Sequence, residues 1–267
     1  MQDNKFTQFL CRFYIYILLL IMYAPILVLI IFSFTNTKII GNWNGFSLHL
    51  YKALVKDKEI VDAFINTFAV AIVSAFISTV LGTFGAIGIF YSKKKAKAIM
   101  EGIGQIPIMN AEIVTALSLT ILFVFIGVHF NFITLLIGHV VLTVPFVVLS
   151  VRPKLMQMDP NIYEAALDLG AEPSNALRKI IIPEIMPGVF SGFILAVTLS
   201  LDDYIITAFT RDTAFQTLST YVYGVTSKKG TLPPSLRALT TVITLIALLI
   251  LVLVNLNSGH KEEKKSR

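Results

Sequence analysis

Three carboxylates interrupt apolar stretches of this chain: Glu112 in NAEIVTALSLTILF, and the adjacent Asp202 and Asp203 in TLSLDDYIITAFT. Ionisable groups inside a membrane span are functional candidates by default, because inserting each aspartate costs about 2.5–3.5 kcal/mol. The same stretches hold no Lys or Arg that would neutralise them. A cation passing through the protein would supply the missing charge. Tyr204, beside the aspartates, offers a ring face to an ammonium group, a contact of about 0.5–2 kcal/mol. The other reading is a structural hydrogen-bond network, with one aspartate capping a broken helix and the other paired to a basic residue of a neighbouring subunit. Adjacent residues point about 100° apart on a helix, so Asp202 and Asp203 cannot face one lumen equally. One of the pair is expected to face away. His139 is either a proton relay or, more simply, a histidine satisfied by its packing neighbours.

Other chemistries are absent from the sequence. There is no G-x-x-x-x-G-K-[ST] phosphate loop, so ATP is not bound here in the usual way. The glycines Gly82, Gly85 and Gly88 follow no strand; Ser74, Ser78, Gly82 and Ala86 instead form a small-residue stripe at spacing four, suited to close helix packing. The single cysteine, Cys11, excludes an internal disulfide framework and a Cys-rich metal site. The net charge of +6 comes from basic residues at the ends of apolar segments, a membrane-topology pattern rather than a nucleic-acid footprint.

The elements that position these residues follow from composition. Of 267 residues, 55% are apolar and 14% charged, where a soluble domain carries about 25% charged. Six segments, 13–34, 64–91, 102–128, 132–151, 188–209 and 238–256, are long enough for a hydrocarbon core of roughly 30 Å. The first has about 22 apolar residues, longer than a signal-peptide core, and no A-x-A site follows it, so it is expected to stay as a helix. None shows the alternation of an outer-membrane barrel, and backbone groups in lipid must be satisfied internally. The expectation is an all-α membrane protein of six transmembrane helices, a single transmembrane domain over residues 1–267. On straight third and fifth spans, Glu112 and Asp202 lie about 15 and 21 Å deep at ~1.5 Å per residue. With the N-terminus inside, fourteen Lys and Arg fall on the cytoplasmic side and seven outside, which places both termini in the cytoplasm. Outer loops near 35–63 and 210–237 have room for short helices. Trp43 and Tyr51 there are either interfacial anchors or contacts for an extracytoplasmic partner.

The inner loop 152–187 is the least apolar part of the middle of the chain. Asp159 and Pro160 open a short helix running to about Leu169, with Ile162, Ala165, Ala166 and Leu169 as one apolar stripe and Glu164 and Asp168 as an acidic pair. Gly170 ends it. A second short helix is expected from Pro173 to Ile182, stopped by Pro183 and Pro187.

At these residues the chain resembles a known family. Glu164-Ala165-Ala166, three residues, Gly170, nine residues, then Ile180-Ile181-Ile182-Pro183 is similar to the EAA loop of ABC-importer permeases, EAA-x3-G-x9-I-x-L-P, with Ile182 in place of the usual leucine. The segments IYILLLIMYAPILVLIIFSFTNTK, LTVPFVV and TLSLDDYIITAFT narrow the resemblance to the permeases of spermidine/putrescine importers. Two places depart from that subfamily: Asn110-Ala111-Glu112, where proline and aspartate are usual, and Pro234-Ser235-Leu236-Arg237, where an acidic residue and an asparagine are commoner.

The resemblance implies a type I ABC-importer permease fold in a bacterial inner membrane. It implies that Glu164, Ala165, Ala166, Asp168, Gly170, Ile180 and Pro183 belong to a coupling helix and its flank, docked on a separate ATPase. It further implies a homologous second permease, an ATPase dimer that binds the ATP and Mg, an extracytoplasmic polyamine-binding protein, and no cofactor on this chain. Glu112, Asp202, Asp203 and Tyr204 are the expected substrate pathway. The rivals are the same machine carrying iron, thiamine or phosphonate, and an ion-coupled secondary transporter whose acids bind H+ or Na+.

Overall fold

The computed structural model of the chain describes residues 5–37, 41–159, 161–229, 233–246 and 248–249, and no strand occurs among them. The chain divides into two compact units, one made from the two ends of the chain (up to Val61 and from Val225) and one from Asp62 to Gly224.

In the first unit, α1 (Lys5–Ser33) is a continuous helix whose side chains from Phe13 to Tyr23 are exposed, the surface expected of a helix that faces lipid. The following loop folds back on its end. Phe34 stacks on Phe46 at 5.6 Å and packs against Tyr51 of α2 (His49–Lys56) at 5.4 Å, while the Tyr51 hydroxyl lies 2.8 Å from the Ser33 hydroxyl. Tyr51 is therefore held by its own loop; Trp43 meets Phe32 edge-on and stays half exposed. Near the other end, α12 (Pro234–Ile246) is a short apolar helix. Residues 247 and 250–256 of the segment expected at 238–256, and the basic residues from Lys261 on, lie outside the described residues.

The second unit contains most of α3 (Lys58–Phe90), then α4 (Lys94–Met109), α5 (Glu112–Phe125), α6 (Phe132–Gln157), α7 (Asn161–Asp168), α8 (Pro173–Ala176), a π-helical turn (Leu177–Ile181), α9 (Ile182–Asp202), α10 (Ile205–Thr210) and the start of α11 (Leu218–Lys229). Its core is the packing of α6 on α9, with Val147, Val151 and Leu155 meeting Ile181, Ile185 and Ala196. The stripe on α3 faces this core: Ser74 and Ser78 are fully buried. A Cβ on Gly82 would stand 2.7 Å from Val147 Cβ, so a side chain there would force α3 and α6 apart.

Among the described residues four helices are long and apolar enough to cross a membrane, or five if the bent pair α4 and α5 forms one span. That pair corrects the expectation of one straight helix over 102–128, for the chain turns by 104° at Asn110 and Ala111, both extended. Pro107 removes an N–H three residues before the break and Asn110 is a good helix terminator, so the α-helical pattern ends there. The depth inferred for Glu112 from a straight span does not hold; it is the first residue of a new helix.

The fifth segment is corrected at both ends. Pro183 and Pro187 do not stop the helix, which runs from Pro173 to Asp202 through the π turn immediately before Pro183. A five-residue bulge is a common way for a helix to absorb a ring that cannot donate. At the far end the expected run to 209 stops at Asp202, and Asp203 is extended.

Candidate functional site

The carboxylate of Asp203 makes the break at the end of α9. Its Oδ1 accepts from the Ile206 amide (3.1 Å), and its Oδ2 accepts from the Thr207 amide (2.8 Å) and hydroxyl (2.7 Å). These are the free donors at the start of α10, and an aspartate three residues ahead satisfies them as a cap. The cap is buried and extends into a chain of side chains. His139 Nε2 lies 3.0 Å from Thr207 Oγ1 and 3.7 Å from Asp203 Oδ2, its Nδ1 lies 2.7 Å from Ser200 Oγ, and Ser200 lies 3.1 Å from Ser74. The one hydroxyl proton of Thr207 goes to Asp203, so its oxygen accepts from His139 Nε2–H. In the neutral ring Nδ1 is then the acceptor and Ser200 its donor. His139 is thus a histidine satisfied by packing neighbours; Ser74 ties α3 to α9 in this chain, and Ser78, 2.7 Å from Thr143, ties α3 to α6.

Asp202, one residue earlier, points elsewhere. It is exposed, as is Glu112 at the other break, and neither has a Lys or Arg at ion-pair distance among the described residues. The two breaks lie close together, because α5, which starts at Glu112, packs on α10: Ala116 meets Ile206, and the Thr120 hydroxyl donates to the Phe209 carbonyl at 3.0 Å. Tyr204, half-buried, packs on Tyr223 of α11 at 4.6 Å between ring centroids. Ser219, also on α11, donates to the Asp203 carbonyl at 2.8 Å, so α11 is tied to the break it overlies. Two bare carboxylates and a pair of rings can attract and orient a cation carrying more than one charge.

The loop after α6 folds as a short helix and turn. Asp159 Oδ1 accepts from the Asn161 amide (2.9 Å), and Pro160 lies outside the described residues. Gly170 closes α7 with φ +84°; its N–H donates to the Leu167 carbonyl (2.9 Å) and the Ala171 N–H to the Ala166 carbonyl (3.0 Å). This paired pattern needs the left-handed conformation that glycine adopts without strain. Of the apolar stripe only Ala166 is buried within this chain; Ile162 and Ala165 are exposed and Leu169 is 89% exposed beside the acidic Glu164 and Asp168. The inward face is set by Tyr163, which packs on Tyr91 at 5.2 Å. Ile180 is half-buried in the π turn and Pro183 is exposed.

The profile of the family described as "Binding-protein-dependent transport system inner membrane component" matches residues 78–260. The chain belongs to this family. It is 32% identical over 240 residues to "Spermidine/putrescine transport system permease protein PotC" of Escherichia coli (strain K12), covering 90% of each chain. Over 229 residues it is 32% identical to "Putrescine transport system permease protein PotI" of the same organism, covering 83% of this chain and 81% of that one. Among solved structures it resembles a bacterial ABC transporter involved in the import of the acidic polysaccharide alginate, with TM-score 0.71 and 14% identity over 96% of this chain and 98% of that one. It also resembles the inward-facing MetNI methionine ABC transporter, with TM-score 0.56 and 19% identity over 81% and 97%. The chain is therefore a multi-pass membrane permease subunit of an ABC importer with the fold of its neighbours.

Within this permease, several residues of the site escape a reading of apolar blocks. Ser200 and Thr207 look like ordinary helix hydroxyls, although Thr207 four residues after Asp203 is a capping signal. Tyr223 lies on α11, far along the chain. The ion pair of Arg152 with Glu101 (2.9 Å) joins α6 to α4 across about fifty residues, which no local pattern announces.

Proposed function

We propose that this permease carries polyamines, working with a homologous second permease, two ATPase subunits that bind ATP and Mg, and an extracytoplasmic polyamine-binding protein. The 32% identity over nine-tenths of PotC is the observation that carries the substrate class. The whole chain acts as one permease domain with six spans: α1, α3, the bent α4–α5 pair, α6, α9 with its preceding turns, and a last span starting in α12. Both termini lie in the cytoplasm, as the distribution of Lys and Arg favours.

In this reading Asp202 and Glu112 face the path and replace water around the ammonium groups, and Tyr204 and Tyr223 supply ring faces. Asp203 acts through the backbone, holding the break that presents Asp202. The exposed Glu164, Ala165 and Asp168, with Leu169 and the turn at Gly170, dock on the ATPase, and Ile180 and Pro183 flank the joint. Movement of α7 reaches the membrane helices through Tyr163 on Tyr91, and Tyr91 on Phe90 at 5.0 Å. The test is uptake of radiolabelled spermidine and putrescine by proteoliposomes holding the co-expressed complex. Accumulation that requires ATP and the binding protein is expected. Uptake without ATP, or ATP-driven uptake of other solutes but not polyamines, overturns the reading.

A further inference from the structure

The second unit holds a cavity of about 220 Å³ between α3, α4 and α6, away from the carboxylates. Its walls are Gly85, Ile89 and Phe90 of α3, Met100 and Gly104 of α4, and Val148 of α6. An apolar cavity of even about 150 Å³ stays dry and takes up hydrocarbon. The charged lining residues gather at one end: Lys97 and Glu101 lie in the first turns of α4, and Arg152 lies near the end of α6. From Phe90 at that end to Leu81 deeper along α3 is about 13 Å at ~1.5 Å per residue, roughly one leaflet of hydrocarbon.

The charges at the mouth are not balanced. Arg152 and Glu101 pair with each other at 2.9 Å. Lys97 makes no ion pair among the described residues; its ammonium sits 5.2 Å from the centre of the Phe90 ring, at the cavity rim. Lys93, Lys94 and Lys95 precede it, all exposed, with no acidic residue from Ser92 to Met100. Basic pockets between membrane helices recognise anionic lipid headgroups, and a dry slot beside one fits an acyl chain.

We propose that this cavity is a binding site for one anionic phospholipid, with an acyl chain between α3, α4 and α6 and the phosphate at Lys97. The site rests on the membrane orientation given above only for the choice of leaflet, the cytoplasmic one. It does not depend on the substrate class.

The test is made on the assembled complex in nanodiscs of mixed phosphatidylglycerol and phosphatidylcholine, then washed in mild detergent. Tightly retained phosphatidylglycerol per complex is measured by mass spectrometry, with neither ATP nor polyamine present. Lys97→Gln should lower retention about fivefold, the effect of roughly 1 kcal/mol per basic residue at a charged membrane surface. Gly104→Leu should lower it at least as much, because a Cβ there meets nothing within 4 Å and the side chain fills the cavity. Lys154→Gln, on α6 against Gly188 of α9 and off the cavity, should leave it unchanged. Three results overturn the proposal: no phosphatidylglycerol retained by the wild type, wild-type retention by Lys97→Gln and Gly104→Leu, or an equal loss from Lys154→Gln. Disulfide trapping of Gly104→Cys to a cysteine on another subunit would likewise overturn it, by identifying a protein occupant. A wrong polyamine assignment moves none of these readings.

Discussion

Two helices of this permease break side by side, where α5 packs on α10, and they break differently. Between α4 and α5 the chain turns through 104° after Pro107, and the carboxylate that follows, Glu112, is exposed. Between α9 and α10 the carboxylate is itself the means of breaking: Asp203 turns inward and satisfies the start of α10, while its neighbour Asp202 stays bare. A carboxylate at a helix break thus does one of two jobs, closing backbone donors or presenting charge. Its hydrogen bonds, rather than its depth, distinguish them.

The comparison is sharpened most by Asp203→Ala. Losing the cap and leaving the amides of Ile206 and Thr207 and the Thr207 hydroxyl without their acceptor should cost about 2–4 kcal/mol, read as a lower Tm and a smaller yield of assembled complex. An unchanged Tm with abolished uptake would move Asp203 to the path and break the distinction. Next comes Gly138→Val, whose Cβ would stand 2.6 Å from Ile206 Cγ2 and push α10 off α6. A loss of about 1–3 kcal/mol in denaturant unfolding is expected. At the membrane surface, Gly170→Ala should cost about 1–2 kcal/mol for its left-handed backbone. Glu164→Lys should leave Tm in place and lower substrate-stimulated ATPase activity of the complex; wild-type stimulation in that variant would remove Glu164 from the coupling contact.

Much of the fold was legible in the sequence because lipid imposes long apolar helices, and the small-residue stripe on α3 was readable because close packing admits few side chains. The breaks were not. Asn110 and Ala111 lie in a stretch apolar enough to span, and Pro183 looks like a terminator until a π turn absorbs it. Hydropathy measures how well a segment tolerates lipid, while these features depend on which backbone donors find partners. Which face of α7 meets this chain was not legible either: Ile162, Ala165 and Leu169 share a helical face, but Tyr163 stacking on Tyr91 turns another face inward. The pairing of Tyr204 with Tyr223 and of Ser200 with His139 is long-range and has no local signature.

The central claim is that Asp202 and Glu112 serve transport and Asp203 serves structure. The most direct measurement is initial uptake of radiolabelled spermidine per assembled complex, with Tm recorded on the same preparations, for Asp202→Asn, Glu112→Gln and Asp203→Asn. The account predicts lower uptake per complex for the first two, with stability changed by no more than about 0.5 kcal/mol as for exposed positions. It predicts a lower Tm for Asp203→Asn, with uptake per surviving complex close to the wild type. Wild-type uptake by both Asp202→Asn and Glu112→Gln would contradict it.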